Sequence, residues 1–389
     1  MSKLQTVILL NCGLLLAGSA LAAPEDAIRP YASYSVTRDS NLFRLQDNPE
    51  SDVLKRLEAG VDIDLPISRQ HLLARANVSN TRFNRFSDLG YDGRDLLGQW
   101  NWQLGNLWSG DLGYSNTRTL ASFADIQQRL QNVRTQQRAF ADASYRLHPD
   151  WRVSAGTSRY DLTNSAGSQN YLDRTEDAAE LGLQYISPTS STVGLQLKRI
   201  DGNLPNRELI SSILYDNSYR QTELNATANW AFSGNSRFTG RLGYTRRKHA
   251  QVAERDFSGI AGRLGMNWVM AGKTTVDAAV WREVGAVEGG SSSYVLSSGA
   301  SLAPSWAATS KLTVQGRISY QKYDYQGDPR FINVQLRKDT VRTLAVGAFY
   351  APWRSTRLGL NFQTDRRDSN TAQADYRANS VTASVRVEF

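Results

Sequence analysis

One pattern recurs along almost the whole chain: short stretches in which apolar and polar residues alternate one by one. Leu57, Ala59, Val61, Ile63 and Leu65 alternate with Glu58, Gly60, Asp62 and Asp64, and Leu72, Ala74, Ala76 and Val78 alternate with Leu73, Arg75, Asn77 and Ser79. Leu96, Gly98, Trp100, Trp102 and Leu104 oppose Gln99, Asn101 and Gln103; Leu224, Ala226, Ala228 and Trp230 oppose Glu223, Asn225, Thr227 and Asn229; Leu312, Val314, Ile318 and Tyr320 oppose Thr313, Gln315, Arg317 and Ser319. Successive side chains of an extended chain point to opposite faces, so each stretch is a strand with one apolar and one polar face. Roughly ten residues at a steep tilt match the hydrocarbon thickness of a bilayer. A sheet apolar on one face throughout must bury that face or give it to lipid.

The connections alternate as well. Tight ones fall at Pro66–Arg69, Gly105-Asn106, His148–Asp150, Ser187–Ser190, Ser233–Asn235, Ala271–Lys273, Ala307–Ser310 and Ala351–Arg354, and longer polar ones near 39–52, 84–90, 119–131, 163–171, 201–216, 249–254, 286–292, 326–334 and 365–375. Eight turns and nine loops predict an all-β, transmembrane, antiparallel up-and-down β-barrel of about 18 strands (16–18). Its short turns would be periplasmic and its longer loops extracellular, with both chain ends on the turn side. Trp102, Trp108, Trp151, Trp230, Trp268, Trp306 and Trp353 all lie within a few residues of a tight turn, with Trp100 close behind and only Trp281 apart. Indoles gathered at one end of every hairpin suit a membrane interface; a soluble sandwich would bury them in mid-strand.

The last stretch, Tyr376 to Phe389, puts Val381, Ala383, Val385, Val387 and Phe389 on one face and Thr382, Ser384, Arg386 and Glu388 on the other. Ending on an aromatic residue, it resembles the closing strand of bacterial outer-membrane β-barrels, and Val385, Val387 and Phe389 form the signal such a strand presents to the barrel-assembly machinery. At the other end, Lys3, the apolar run from Val7 to Ala17 and Ala20-Leu21-Ala22 read as a secretory signal peptide, residues 1–22, removed before folding. That leaves 23–389 as a single outer-membrane barrel domain. The only cysteine, Cys12, lies in the removed segment, so neither disulfides nor thiol chemistry are expected. A net charge of +8 suits anionic partners. Basic clusters with interleaved aromatics are missing, which argues against nucleic acid and leaves outer-membrane lipid and lipopolysaccharide.

Projecting the alternation inward gives a mixed polar lumen lined by Arg75, Asp111, Arg146, Glu180, Lys198, Glu223, Arg241, Arg263, Asp277, Arg317 and Arg357. Trp281 and Tyr323 are the inward aromatics able to stack on sugar rings. Glu58, Asp62, Asp64, Asp142, Arg237, Glu283, Arg386 and Glu388 share this face. Cross-strand bracing and a hydrophilic passage are both open readings of such charges. The chain has three histidines, none at ligand spacing to another, and no glycine-rich phosphate loop. Neither a metal nor a cofactor is expected, and no enzymatic activity. His249 with Asp256 or Glu254 is the only base–carboxylate combination available.

Residues 29–45 carry a further signal, Pro30-Tyr31-x-Ser33-Tyr34 followed by Asp39-Ser40-Asn41-Leu42-Phe43-Arg44. This opening resembles that of EpsL-like outer-membrane proteins, β-barrel porins encoded in exopolysaccharide biosynthesis operons. The resemblance implies a part in exopolysaccharide biosynthesis or export, with the polymer and its periplasmic export components as partners, and it transfers no catalytic residue. The alternatives are a general diffusion porin for small hydrophilic solutes and a surface barrel that binds polysaccharide. On the residues alone, Asp39, Ser40 and Asn41 favour a turn, and Leu42 and Phe43 would anchor the first loop on an apolar surface.

Overall fold

A computed structural model describes residues 27–389 apart from 207, 211, 212, 252, 287–293 and 327–335. The expected signal peptide therefore lies outside the described residues, as does most of the loops expected near 286–292 and 326–334. The strands are β1 (Ile28–Asp39), β2 (Asp52–Ile67), β3 (Gln70–Phe83), β4 (Tyr91–Leu104), β5 (Trp108–Leu120), β6 (Val133–His148), β7 (Trp151–Asn164), β8 (Arg174–Ile186), β9 (Thr192–Asn203), β10 (Glu208–Ile210), β11 (Ile213–Tyr215), β12 (Tyr219–Ser233), β13 (Ser236–His249), β14 (Phe257–Ala271), β15 (Thr274–Ala286), β16 (Tyr294–Ala307), β17 (Leu312–Gln326), β18 (Lys338–Trp353), β19 (Thr356–Ser369) and β20 (Tyr376–Glu388). Eighteen of them form one sheet, each pairing antiparallel with the next, and β10 and β11 make a separate hairpin within the loop between β9 and β12. β20 pairs with β1 from Tyr31↔Glu388 to Asp39↔Ser380, so the sheet closes on itself. Closure leaves none of the eighteen wall strands with an unpaired edge.

The polarity of this wall is the reverse of a soluble protein's. Leu57, Val78, Leu181, Leu195, Ile260 and Leu360 are each more than half exposed on the outer face. Such a band of apolar side chains around a closed barrel is what a lipid environment requires. At the turn end the band becomes aromatic: Trp108 packs on Tyr145 at 4.7 Å, Trp151 on Tyr185 at 5.5 Å, and Trp230 on Phe232 at 5.2 Å. Phe389 ends the closing strand exposed, its N–H donating to the Pro30 carbonyl at 2.9 Å.

The strands are longer than the alternation alone indicates, 12 residues in β1 and 16 in β2. The extra turns of ladder lie at the loop end and carry charge. The loop expected at 365–375 shortens to 370–375, because Asp365 to Ser369 stay paired with β18. Asp368 there holds Arg342 at 3.0 Å and Arg366 at 2.9 Å, and charged pairs extend the sheet where the apolar pattern stops.

The closure seam has its own clasp. Arg386 on β20 reaches past β1 to Asp62 on β2 at 2.7 Å, and its guanidinium lies 3.5 Å from the centre of the Tyr31 ring. Asp62 also takes Arg75 of β3 at 2.8 Å, and Tyr31 donates to Glu58 at 2.8 Å. One carboxylate thus ties three of the four strands around the point where the chain ends meet.

Candidate permeation pathway

Cross-strand register settles which way each side chain of the wall points. Arg75, Asp111, Arg146, Glu180, Lys198, Glu223, Arg241, Arg263, Asp277, Trp281, Arg317, Tyr323 and Arg357 all lie on the face opposite the apolar band. Several are brought together. Arg241 meets Glu223 at 3.4 Å and Glu283 at 3.3 Å, and Arg263 meets Glu283 at 2.9 Å. Asp277 accepts from Asn267 at 2.7 Å, Asp111 accepts from Asn101, and Lys198 stands level with Glu180 on one side and Glu223 on the other. Arg146, Arg317 and Arg357 make no ion pair among the described residues.

The two inward aromatics are less available than their types alone indicate. Trp281 lies flat across Gly299 of the next strand, where any Cβ would sit 2.6 Å from its ring. Its N–H donates to Ser297 at 3.2 Å, and the Arg263 guanidinium covers it at 4.7 Å. Tyr323 faces Tyr325 at 6.5 Å.

Two inward arginines escape a reading that stops at the most regular alternation. Arg138 shares the phase of Asp142 and Arg146 on β6, and Arg152 alternates with Trp151 and Val153 on β7. Arg138 lies over Phe140 at 5.6 Å, and Arg152 donates to Gln184 at 2.6 Å. With Arg146 they give the β6–β7 wall three cations around the one carboxylate of Asp142, while Arg317 and Arg357 belong to β17 and β19 on the far side of the ring.

At the loop end the interior is filled from above. Asn41 is almost fully buried: its side chain donates to the carbonyls of Leu45 at 2.7 Å and Arg377 at 3.0 Å and accepts from the Leu45 N–H. Asp39 accepts from the Asn41 N–H and pairs with Arg44 at 2.9 Å, holding Arg44 in the left-handed region at φ 59°. This bracing drives Leu42 and Phe43 into a buried cluster with Phe83, Phe86, Leu89 and Phe123, and Phe43 packs edge-on against Phe86 at 4.8 Å and Phe123 at 5.0 Å. Asp39, Asn41, Leu42, Phe43 and Arg44 are thereby occupied in fixing the first loop.

Phe123 opens a one-turn helix, α1 (Phe123–Ile126), whose start is capped by Ser122 accepting from the Ala124 N–H. The loop that carries it, 121–132, is tied on three sides. Gln127 donates to the Arg44 carbonyl at 2.6 Å, Gln131 to the Gly90 carbonyl at 2.6 Å, and Arg129 pairs with Asp88 at 2.6 Å. The Arg129 hydrogen bond holds the Asp88 carboxyl below the usual carboxylate range. Across the barrel, Arg367 of β19 donates to the Ala124 carbonyl at 2.6 Å. Asp125 pairs with Arg134 of β6 at 3.5 Å and lies within electrostatic reach of Tyr323 and Tyr325 on β17, nine strands away and halfway round the ring. The loop therefore crosses the lumen and narrows it from the loop end.

His249 sits apart from this passage. Its side chain is 1% exposed, 3.9 Å from Asp256 and enclosed between Tyr219 and Tyr294. A base so enclosed has no open approach for a substrate. The Glu254 side chain lies outside what the structure describes.

A closed eighteen-strand wall, an apolar exterior and a charged interior narrowed by an inturned loop define a porin-like barrel. Residues 220–389 match the family model described as "Putative beta-barrel porin 2". Similar solved structures include OccK2 (OpdF) of Pseudomonas aeruginosa, with a TM-score of 0.53 and 10% identity over 94% of this chain and 98% of that one. OccK2 in complex with glucuronate gives 0.52 at 10% identity, covering 94% and 99%. A BenF-like porin from Pseudomonas fluorescens Pf-5 gives 0.50 at 10% identity, covering 94% and 99%. At these identities the likeness speaks for the fold alone. No curated protein matches the sequence.

Proposed function

We propose that the barrel is a passive passage for small hydrophilic solutes across the outer membrane of a Gram-negative bacterium, and that it favours anions. The observation that carries this is a set of five interior arginines with no carboxylate at ion-pair distance among the described residues. Asp62, Glu223, Glu283 and Asp339 are each engaged by at least one arginine. Arg138, Arg146 and Arg152 on one wall and Arg317 and Arg357 on the facing wall have no carboxylate partner at ion-pair distance among the described residues. Guanidinium groups without acidic partners, in a narrow aqueous passage whose wall has a low dielectric constant, raise the local concentration of anions. A neighbour of the same fold crystallised in complex with glucuronate, so a sugar acid is the first solute to try. In vesicles loaded with the purified barrel, glucuronate is expected to enter faster than a neutral sugar of equal size; equal or slower entry would refute the anion preference.

The finer reading, a part in exopolysaccharide export, keeps the resemblance of residues 29–45 as its support. Those side chains are spent on bracing the first loop, and one of the similar structures is of a BenF-like porin. A deletion strain that secretes polymer normally would end this reading. Val385 and Val387, outward on β20, and the exposed Phe389 make the closing strand the segment through which assembly machinery would engage the chain.

A further inference from the structure

The outer face of the barrel is not uniform in charge at its loop end. On β7, β9, β12, β18 and β19 the outward arginines all have aspartate partners. Arg159 meets Asp161 at 3.4 Å, Arg199 and Arg220 share Asp201 at 2.9 and 2.7 Å, and Arg342 and Arg366 share Asp368. Lys55 and Arg82, outward and opposite each other on β2 and β3, have no such partner among the described residues, and neither do Arg94 and Arg118. These last two stand directly opposite each other on β4 and β5, on the same face as Trp100 and Leu112. Arg94 donates only to the neutral Asn116, at 2.9 Å, and Asp92 on the same face is turned to Asn80 at 2.5 Å. Like charges directly opposite one another on a sheet repel unless something lies between them.

The same cross-strand row continues from Arg118 to Thr135 on β6 and from Thr135 to Thr163 on β7. Two guanidinium groups and two hydroxyls therefore follow one another over four consecutive strands. The four side chains line an open groove of about 270 Å³, together with Val133, Asn164 and Ser165. Immediately toward the turn end, the apolar band begins with Leu112 and Tyr114.

We propose that the row Arg94–Arg118–Thr135–Thr163 holds the phosphate of a lipid headgroup, with the acyl chains of that lipid lying on the apolar band beneath it. Guanidinium groups supply paired N–H donors to phosphate oxygens, and the hydroxyls complete the set. A carboxylate-paired arginine, as at Arg342 and Arg366, has no such capacity left. Position favours a lipid over free phosphate, because the site opens where the apolar surface ends and the charged rim starts. The inference rests on the reading of the barrel as a membrane protein with its loops on the far side of the lipid.

The test uses the full barrel in phosphatidylcholine vesicles containing a small fraction of diphosphoryl lipid A, followed by mild extraction and measurement of lipid A retained per barrel. Wild type is compared with Arg94→Gln/Arg118→Gln and with Arg342→Gln/Arg366→Gln, which removes the same charge from the same face. The first double variant is expected to retain roughly tenfold less lipid A, and the second to behave as wild type. Arg118→Lys, which keeps the charge, is expected to retain most of it. Equal loss in both double variants, or no loss in the first, overturns the site. Displacement by millimolar inorganic phosphate would assign it to free phosphate and overturn the lipid. Failure of the wild type to enter vesicles at all would instead refute the membrane reading, and gel mobility without boiling reports folding of each variant separately.

Discussion

The two ends of this barrel are built differently. At the turn end the wall is held by its hydrogen-bonded ladder, by aromatic pairs facing outward and by the Arg386–Asp62–Arg75 clasp at the seam. At the loop end three loops fold inward and make a buried apolar cluster of their own around Phe43. A barrel with its apolar side chains turned outward has no conventional core, so a core appears where chain leaves the wall. The wall sets where the passage runs, and the loops set how wide it is.

Damage to the two ends should therefore read out differently. The largest effect is expected from Phe43→Ala, which empties the centre of the loop cluster at about 3–5 kcal/mol. Single-channel conductance should rise and loop 121–132 should become open to protease, while the folded barrel still migrates as wild type on unboiled gels. Unchanged conductance would mean the cluster does not hold the loop across the lumen. Arg386→Gln at the opposite end should cost about 1–3 kcal/mol, seen as a lower unfolding midpoint in denaturant with conductance unaltered. A conductance change there would erase the distinction between the ends. Gly299→Val, whose Cβ would sit 2.6 Å from both the Trp281 ring and the Tyr320 carbonyl, should displace Trp281 and strain the β16–β17 ladder at about 1–3 kcal/mol, with a shift in tryptophan emission and loss of its contact to Arg263.

The smallest effect concerns the exposed Asp88–Arg129 clamp. The Asp88 carboxyl is held below its ordinary value, so the clamp is fully present above about pH 4, the unperturbed range, and fades as the pH falls through the lowered value. Conductance noise from the loop should stay constant from neutrality to about pH 4 and grow only below it. Noise that begins near neutral pH would assign the loop's anchorage to another group.

The wall was largely legible in the sequence, because lipid outside and water inside impose a period of two that few other environments impose. Leu57 to Leu65 and Leu224 to Trp230 already show which residues face outward, and the nine loops and eight turns follow from the gaps between such stretches. Strand length was less legible: β19 continues through Asp365 to Ser369 on charged pairs, where an apolar pattern has nothing to report. Arg138 and Arg152 stood in a readable phase beside small residues such as Ala139 and Ala141, which weakened the contrast. The crossing of loop 121–132 had no local signal. Arg367 and Ala124 are 243 residues apart, and their contact ends on a backbone carbonyl, to which residue identity is mute. Likewise, Phe86, Leu89 and Phe123 sit in loops without periodicity and meet Phe43 only once strands β1 to β6 lie side by side.

The most direct measurement is the reversal potential of single channels in a planar bilayer under a salt gradient, for wild type and for Arg317→Gln/Arg357→Gln. A steady, open conductance that favours anions in the wild type and loses part of that preference in the variant is the expected result. Absence of conductance, or a cation preference in the wild type, would contradict a passage governed by unpaired interior arginines.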